Sequence, residues 1–163
     1  MSAAESSPSA AAPAALDATD LTLLAELGRN GRISNTELAA RAGIAESTCL
    51  KRVRSLQARG VITGFHAEIS PAALGLGLEA LISLRLHAHA RGDLRRFQAY
   101  LEDIPATQRV YFLAGDRDFL VHVAVHDAGD LRELVSDTLS VLPEVAATST
   151  SLIFAHATGR RRL

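Results

Sequence analysis

The residues best suited to chemistry lie between positions 34 and 60, where cations and hydroxyl side chains are interleaved. From Arg41 to His66 there are five cations and one acid, although the whole chain has a formal net charge of −1. Guanidinium and ammonium groups bind phosphate oxygens, and hydroxyl groups hydrogen-bond to base edges. The stretch therefore has the chemistry of a surface that binds double-stranded DNA.

Two short helices joined by a turn are predicted to position these groups. Ser34 and Glu37 have the spacing of a capping box, so the first helix is expected to begin near Asn35. Gly43 supplies the left-handed residue that commonly ends a helix. Ala45 precedes the second helix and offers no side-chain cap, so Ser47 is expected to cap a later start.

The second helix is predicted to have one buried face and one basic face. Cys49, Val53 and Leu56 recur at helical spacing and predict the buried face. The candidate DNA-binding residues lie opposite or on its flanks: Ser47, Thr48, Lys51, Arg52, Arg54, Ser55 and Arg59. A basic helix on its own is as typical of a solvated protein surface as it is of a DNA-binding surface. The succession of capped helix, turn and basic helix favours a helix-turn-helix that reads the major groove.

Length and composition are those of an ordinary globular protein. The 163 residues are 48% apolar and 21% charged, which suits one domain or two small ones. No apolar run has the length of a membrane span and the N-terminus lacks a signal-peptide pattern, so a cytoplasmic protein is expected. Cys49 is the single cysteine, and we expect it to be a core residue rather than a redox sensor.

The N-terminal part is predicted to hold a tail, three helices and a linker. Residues 1 to 15 are small and interrupted by Ser and Pro, which predicts a disordered tail. Asp17 is a good cap for a first helix that ends between Gly28 and Gly31 and braces a three-helix unit over residues 16 to 64. Residues 65 to 77 are expected to form a short wing or linking strand followed by a hinge.

The C-terminal part, residues 78 to 157, has the pattern of an α+β domain. Alternating and helical periods give the order strand, helix, strand, strand, helix, strand, which is the ferredoxin-like (ACT-like) βαββαβ arrangement. The final strand is expected to run from Val145 to Ala157, and residues 158 to 163 form a basic tail. Because helices cover only one face of such a sheet, a second subunit is expected on the other.

No metal or cofactor site is expected. His87 and His89 alternate on what is predicted to be one strand face, but no neighbouring Cys or carboxylate completes a ligand set.

Several motifs occur in the order found in one family of prokaryotic regulators. They are Leu16-Asp17-x-x-Asp20, Gly31-Arg32-Ile33-Ser34-Asn35, Arg52-Val53-Arg54-x-Leu56, Gly60-Val61-Ile62-Thr63-Gly64-Phe65 and Gly115-Asp116-Arg117-Asp118-Phe119. Over about residues 16 to 157 the chain resembles the Lrp/AsnC (leucine-responsive and asparagine-responsive, or feast/famine) transcriptional regulators. The fold class implied is an N-terminal winged helix-turn-helix followed by an effector domain.

The resemblance implies a sequence-specific DNA-binding regulator that senses a small molecule, an amino acid in many members. It implies homo-oligomers, namely dimers and tetramers of dimers, with DNA and the effector as partners and no membrane. The effector-binding residues carried over by position are Gly115, Asp116, Asp118, Thr148 and Thr150. Residues 115 to 118 are turn formers between two β-rich runs and so predict a hairpin; for the two aspartates, stabilising that hairpin by binding turn amides is an equal alternative.

Three positions depart from the family pattern, and two other functions stay open. Ala45 replaces a common serine, the usual proline near residues 46 to 48 is missing, and Glu144 replaces a glycine after Leu142-Pro143. One alternative is an enzyme similar to siroheme decarboxylases, which would need a His and an Arg around a tetrapyrrole; His122 and Arg109 lie on strands beside the hairpin, but nothing in the sequence singles them out. The other is an amino-acid sensor that acts through protein partners.

Overall fold

The computed structural model describes residues 15 to 157, which pack as two compact units. The units separate between Ala67 and Glu68. Except for Ala15, the predicted tails, residues 1 to 15 and 158 to 163, lie outside the described residues.

The first unit is built from three helices, each of which begins near a predicted cap. They are α1 (Ala18–Arg29), α2 (Asn35–Ala42) and α3 (Glu46–Ala58). Asp17 caps α1 in a full capping box with Asp20, and Ser34 Oγ accepts a hydrogen bond from the Glu37 amide at 3.2 Å. Gly43 ends α2 with a φ of 66°, in the left-handed region that glycine tolerates.

A small apolar cluster joins the three helices of the first unit. Its buried members are Leu23 of α1, Leu38 and Ala39 of α2, and Cys49 of α3, with Val53 packed against them. The helical spacing of Cys49 and Val53 therefore predicted the inner side of α3 correctly. Leu27, Ile33, Ala42 and Ile44 pack against the same cluster.

The buried thiol of Cys49 gives a chemical probe of this unit. Cys49 is fully buried. Burial is the main cause that raises the pKa of its thiol, and the negative charge of the nearby Glu46 carboxylate raises that pKa further. A protonated, inaccessible thiol reacts slowly. We expect alkylation by iodoacetamide at pH 7.5 to be at least about 100-fold slower in the native protein than in urea, because reaction requires opening of the unit. Equal rates in the two conditions would contradict the buried position.

The predicted strand in residues 65 to 69 is not formed. Residues 63 to 70 lack regular secondary structure and are all exposed. The alternation of Phe65, Ala67 and Ile69 has the period of a strand, but a strand also needs a hydrogen-bonding partner, and none is present in the described chain.

The second unit consists of an antiparallel sheet with helices on one face. Its strands are β1 (Leu78–Leu86), β2 (Thr107–Phe112), β3 (Phe119–Val125) and β4 (Val145–Ile153), in the spatial order β2-β3-β1-β4. Its helices are α4 (Leu94–Glu102), capped by Asp93, and α5 (Ala128–Glu133), capped by Asp127 and continued by a π-helical turn (Leu134–Leu139). This is the predicted ferredoxin-like order, although β4 ends four residues before Ala157.

Only one face of the sheet is covered by the helices. Ala80, Ile82 and Leu84 of β1 face Phe97 and other helical side chains and are fully buried. Their alternation in β1 predicted this inner face correctly. The opposite face, which we call the open face, carries the residues that alternate with them: Leu81, Ser83 and Arg85 of β1, Leu120 and His122 of β3, and Tyr111 of β2.

No helix among residues 15 to 157 is long and apolar enough to cross a membrane.

Candidate nucleic-acid interface and effector site

One side of α3 presents an uninterrupted polar and basic surface. Its residues are all exposed and lie within an arc of about 120° on the helix: Ser47, Thr48, Lys51, Arg54 and Ser55. We call this set the α3 face. Lys51 and Arg54 make no ion pair with any described residue. Both cations are therefore available to an external anion.

The start of α3 is fixed without a side-chain cap. The helix begins at Glu46 after Ala45, which offers no capping side chain. Asn35 of α2 instead donates a hydrogen bond from Nδ2 to the Glu46 carbonyl at 3.0 Å. The expected later start, capped by Ser47, is wrong because Ser47 already lies in the first helical turn. Its hydroxyl is thus left exposed on the α3 face.

Arg52, which the sequence made a candidate DNA-binding residue, points away from the α3 face toward the beginning of α1. Its Nη1 lies 2.7 Å from Asp17 Oδ2 and 2.8 Å from Asp20 Oδ1. Hydrogen bonds to Asp17 and Asp20 raise the pKa of Arg52, and those from the Asp20 amide and Arg52 lower the pKa of Asp17. The side chain follows the border between the exposed and buried sides of α3.

A second cation of the stretch is also paired within the unit. Arg41 lies 2.7 Å from Glu37 and also bonds Glu26 of α1, and these two carboxylates raise its pKa. The Glu37 carboxylate thus bonds Arg41, and the predicted reciprocal capping bond to Ser34 is absent. Two of the five cations counted from the sequence, Arg41 and Arg52, are therefore paired with acids of the same unit.

Arg59 follows the C-terminal end of α3, outside the α3 face. Its Nη2 donates a hydrogen bond to the Ala15 carbonyl at 3.1 Å. Because a carbonyl is neutral, the positive charge of Arg59 is not cancelled there, and Arg59 remains a candidate phosphate contact.

The predicted hairpin joins β2 to β3, and its two aspartates have different surroundings. Gly115 has a φ of 135°, which favours glycine. The Asp116 side chain is 93% exposed and lies 3.9 Å from Arg117. Asp118 is buried, accepts the Leu86 amide proton at 2.7 Å, and lies 3.1 Å from the Arg91 guanidinium. Asp118 therefore ties the hairpin to β1 and to the segment before α4, whereas Asp116 is open to solvent.

Thr148 and Thr150 lie on the edge strand β4. They are opposite Leu84 and Ile82 of β1, on the face that the helices cover. The Thr148 hydroxyl lies 3.3 Å from that of Ser140. Since Leu84 also accepts the Asp118 amide proton at 2.9 Å, Thr148 is two strands, or about 10 Å, from the base of the hairpin.

A cleft of about 320 Å³ lies at the same end of the sheet. Its walls come from α4 and the segment before β4: Asp93, Arg96, Phe97, Tyr100, Leu142, Pro143 and Glu144. The Glu144 carbonyl accepts the amide proton of His87. The preceding residue, Leu86, donates its amide proton to Asp118, so the cleft and the base of the hairpin are joined through the end of β1. The Arg96 guanidinium makes no ion pair with any described residue. Arg91 and Arg96 were missed in the sequence because arginines spaced along a helix are common on solvated surfaces.

A second, wider cleft of about 590 Å³ has an apolar floor and an acidic rim. Leu76, Ile104 and Leu134 contribute to its floor, and Asp103, Asp130 and Glu133 to its rim.

Metal or tetrapyrrole chemistry would draw on the histidines of the second unit. β1 ends at Leu86, so His87 and His89 do not share a strand face as expected; their rings stack 5.5 Å apart. Among residues 15 to 157, no group of three His, Cys, Asp or Glu side chains is arranged to hold a metal. Arg109 and His122 are partners across β2 and β3, and His122 Nε2 lies 2.8 Å from Glu79 Oε2 on the open face.

Both units match known protein families. Residues 16 to 63 match the winged helix-turn-helix DNA-binding model, and residues 79 to 163 match the Lrp/AsnC ligand-binding domain. The chain is 50% identical over 144 residues to the HTH-type transcriptional regulator AldR of Mycolicibacterium smegmatis. That alignment covers 88% of this chain and 84% of the relative.

Solved structures agree with this match. The crystal structure of MtbAldR aligns with a TM-score of 0.79 and 42% identity, over 91% of this chain and 98% of the other. A transcriptional regulator from Neisseria meningitidis, solved as its L-Met complex, aligns with a TM-score of 0.81 and 30% identity, over 89% and 94% of the two chains.

Proposed function

This chain belongs to the Lrp/AsnC family of DNA-binding transcriptional regulators, and from that premise we propose that an amino acid is its effector. We propose further that it acts in the cytoplasm as a homo-oligomer, has no catalytic activity, and uses the α3 face to read DNA. Relatives that are 50% and 46% identical to this chain are named as transcriptional regulators, which disfavours the siroheme decarboxylase alternative.

The observation that carries the DNA-binding proposal is the exposed, unpaired state of Lys51 and Arg54. A helix with hydroxyl groups and two free cations on one side can place short side chains on base edges and guanidinium groups on phosphates. Ser47, Thr48 and Lys51 are assigned to base edges, and Arg54 and Arg59 to phosphates. An unpaired basic surface also disfavours a sensor that acts only through protein partners.

The amino-acid proposal rests on the matched ligand-binding domain and on the chemistry at the hairpin end of the sheet. The Neisseria meningitidis relative was solved with L-Met. In this chain the exposed Asp116 carboxylate can accept hydrogen bonds from an α-ammonium group, and Gly115 leaves room for the ligand to approach the backbone. Thr148 and Thr150 remain candidate contacts from β4.

The nearby cleft offers a second candidate effector site. Arg96 supplies a free cation for a carboxylate, Glu144 supplies a carboxylate for an ammonium group, and Phe97 and Tyr100 supply apolar walls. Its volume lies at the small end of the range for ligand pockets, which suits an amino acid.

A thermal-shift screen against the twenty amino acids tests the effector and separates the two sites. A ligand at 100 times its Kd stabilises the native state by about 2.7 kcal/mol, which raises Tm by several degrees. If the hairpin holds the ligand, Asp116→Asn is expected to abolish the shift while leaving the unliganded Tm unchanged. Asp118→Asn is expected to lower the unliganded Tm, because it removes the ion pair with Arg91.

Two neighbouring arginines serve as matched variants for the cleft. Arg96 lines it and Arg95 does not, although both are exposed on α4. Loss of the ligand shift in Arg96→Gln, with a normal shift in Arg95→Gln and Asp116→Asn, would assign the effector to the cleft instead of the hairpin. No shift of the wild-type protein by any amino acid would contradict the effector proposal and leave the DNA-binding assignment in place.

Homo-oligomers are proposed because the open face of the sheet lacks a cover within the second unit. Leu81 and Leu120 lie partly exposed at its centre, and the Tyr111 side chain beside them is 43% exposed. A second copy of the chain can bury such a face, since a two-fold axis pairs the same surface of the two subunits.

A further inference from the structure

The carboxylate of Asp20 is one of two buried acidic side chains that the structure records, the other being Asp118. Only 8% of the Asp20 side chain is accessible to solvent. A buried carboxylate is unfavourable unless hydrogen bonds or an opposite charge compensate for the lost water. The group that compensates Asp20 comes from another helix, 32 residues later in the chain, and is Arg52.

The contact joins the beginning of α1 to the middle of α3. One nitrogen of Arg52, Nη1, lies within 2.8 Å of carboxylate oxygens on both Asp17 and Asp20. These two acids also cap α1, because the Asp20 amide donates to Asp17 Oδ1 at 2.8 Å. The same pair of side chains therefore fixes where α1 begins and where α3 lies against it.

Apolar packing and the contacts of α2 with both helices also hold α3 beside α1. Leu23 and Leu27 are the α1 members of the apolar cluster that also holds Cys49 and Val53 of α3. Apolar contacts are non-directional and permit a helix to slide or rotate by small amounts. A charged hydrogen bond with a fixed donor and acceptor does not.

We propose that Arg52 is a positioning residue of the DNA interface: it joins α3 to the buried carboxylate of Asp20 and thereby orients the α3 face, without neutralising a DNA phosphate itself. Arg52 lies in the sequence between Lys51 and Val53, so its charge looks like part of the basic surface. Its guanidinium is nevertheless turned toward the beginning of α1, away from Lys51 and Arg54 on the α3 face.

Replacement of Asp20 distinguishes a positioning role of Arg52 from a purely electrostatic one, because the two roles predict opposite changes in DNA affinity. Asp20→Asn removes one negative charge near DNA and releases Arg52, so a purely electrostatic role predicts equal or tighter DNA binding. The positioning role predicts weaker binding, by about tenfold, because the α3 face loses its fixed orientation. Binding is measured by fluorescence anisotropy, on an operator isolated by in vitro selection with the wild-type protein.

Salt dependence supplies a second readout that a phosphate contact would change. The slope of log K against log salt is negative, and loss of one phosphate contact reduces its magnitude by about 0.9 per subunit. Arg54→Gln is expected to show this decrease. Arg52→Gln is expected to weaken binding with the slope unchanged, and the Asp20→Asn/Arg52→Gln double variant to bind no more weakly than the poorer single variant.

Arg52→Lys keeps the positive charge, and its single ammonium nitrogen can take the place of the one guanidinium nitrogen that bonds both acids. It is expected to retain most of the affinity that Arg52→Gln loses, but only while Asp20 is present, whereas a lysine that contacts a phosphate would not depend on Asp20. Far-UV circular dichroism and the alkylation rate of Cys49 establish that each variant is folded. The proposal is overturned if Asp20→Asn binds as tightly as the wild type, if Arg52→Lys retains affinity equally well alone and in combination with Asp20→Asn, or if Arg52→Gln reduces the salt dependence as Arg54→Gln does.

Discussion

Replacing Lys51 and Arg54 together by alanine is expected to lower the affinity for a selected operator roughly 100-fold at fixed salt. These side chains are the two cations of the α3 face, and neither is held by an acid of the described chain. Loss of Arg54 removes a phosphate contact and loss of Lys51 removes a base contact. The operator is selected with the wild-type protein, and affinity is measured by anisotropy titration at several salt concentrations.

The matched control is Arg95→Ala with Arg132→Ala. It removes two exposed cations from the second unit and changes the net charge by the same amount. Affinity within about threefold of the wild type is expected for this control, because long-range charge alone has a small effect at physiological salt. An equal loss in both double variants would show that net charge, not the α3 face, governs binding.

The second large effect is expected from Leu120→Glu on the open face of the sheet. Leu120 lies between Tyr111 of β2 and Ser83 of β1, at the centre of that face. If a second copy covers this face, the substitution buries an unpaired carboxylate in the interface at a cost of several kcal/mol, which weakens dimerisation more than about 100-fold. Sedimentation velocity should then show monomers at concentrations where the wild type is dimeric.

Val141→Glu provides the comparison for this experiment. Val141 is another apolar side chain, 64% exposed, but it lies outside the sheet. The variant is expected to sediment as the wild type does. If Leu120→Glu also leaves the oligomer intact, the open face is not the interface; a monomeric wild type would reject the oligomer altogether.

Local patterns in the sequence were enough to predict most of the secondary structure. Asp17, Ser34, Asp93 and Asp127 begin helices because each offers a side-chain acceptor to the amides of the next turn. The turn formers from Gly115 to Asp118 separate two β-rich runs and form the predicted hairpin. Periods of 2 and 3.6 residues depend on near neighbours, so the sequence itself displays them.

Features that depend on distant partners were not predictable in this way. Arg52 and Asp20 are 32 residues apart, and a long flexible arginine reads as a surface cation until its acceptor is located. Asp118 likewise has a structural role only because Leu86 and Arg91 fold against it. The predicted strand at residues 65 to 69 failed for the same reason, since its pairing partner is not in the described chain.

The ion pairs inside the first unit limit how tightly one copy of it can hold DNA. Arg41 and Arg52 are neutralised by Glu26, Glu37, Asp17 and Asp20, so few charges remain to displace counterions from a duplex. Linking several such units raises the local concentration of each unit at its own half-site. The apparent affinity for DNA then rises by a factor of about 100 to 10,000 without any new contact. Occupancy of an operator is then set by how many units are joined at once. A ligand that changes only the assembly would therefore switch DNA binding without touching the helix that reads the bases.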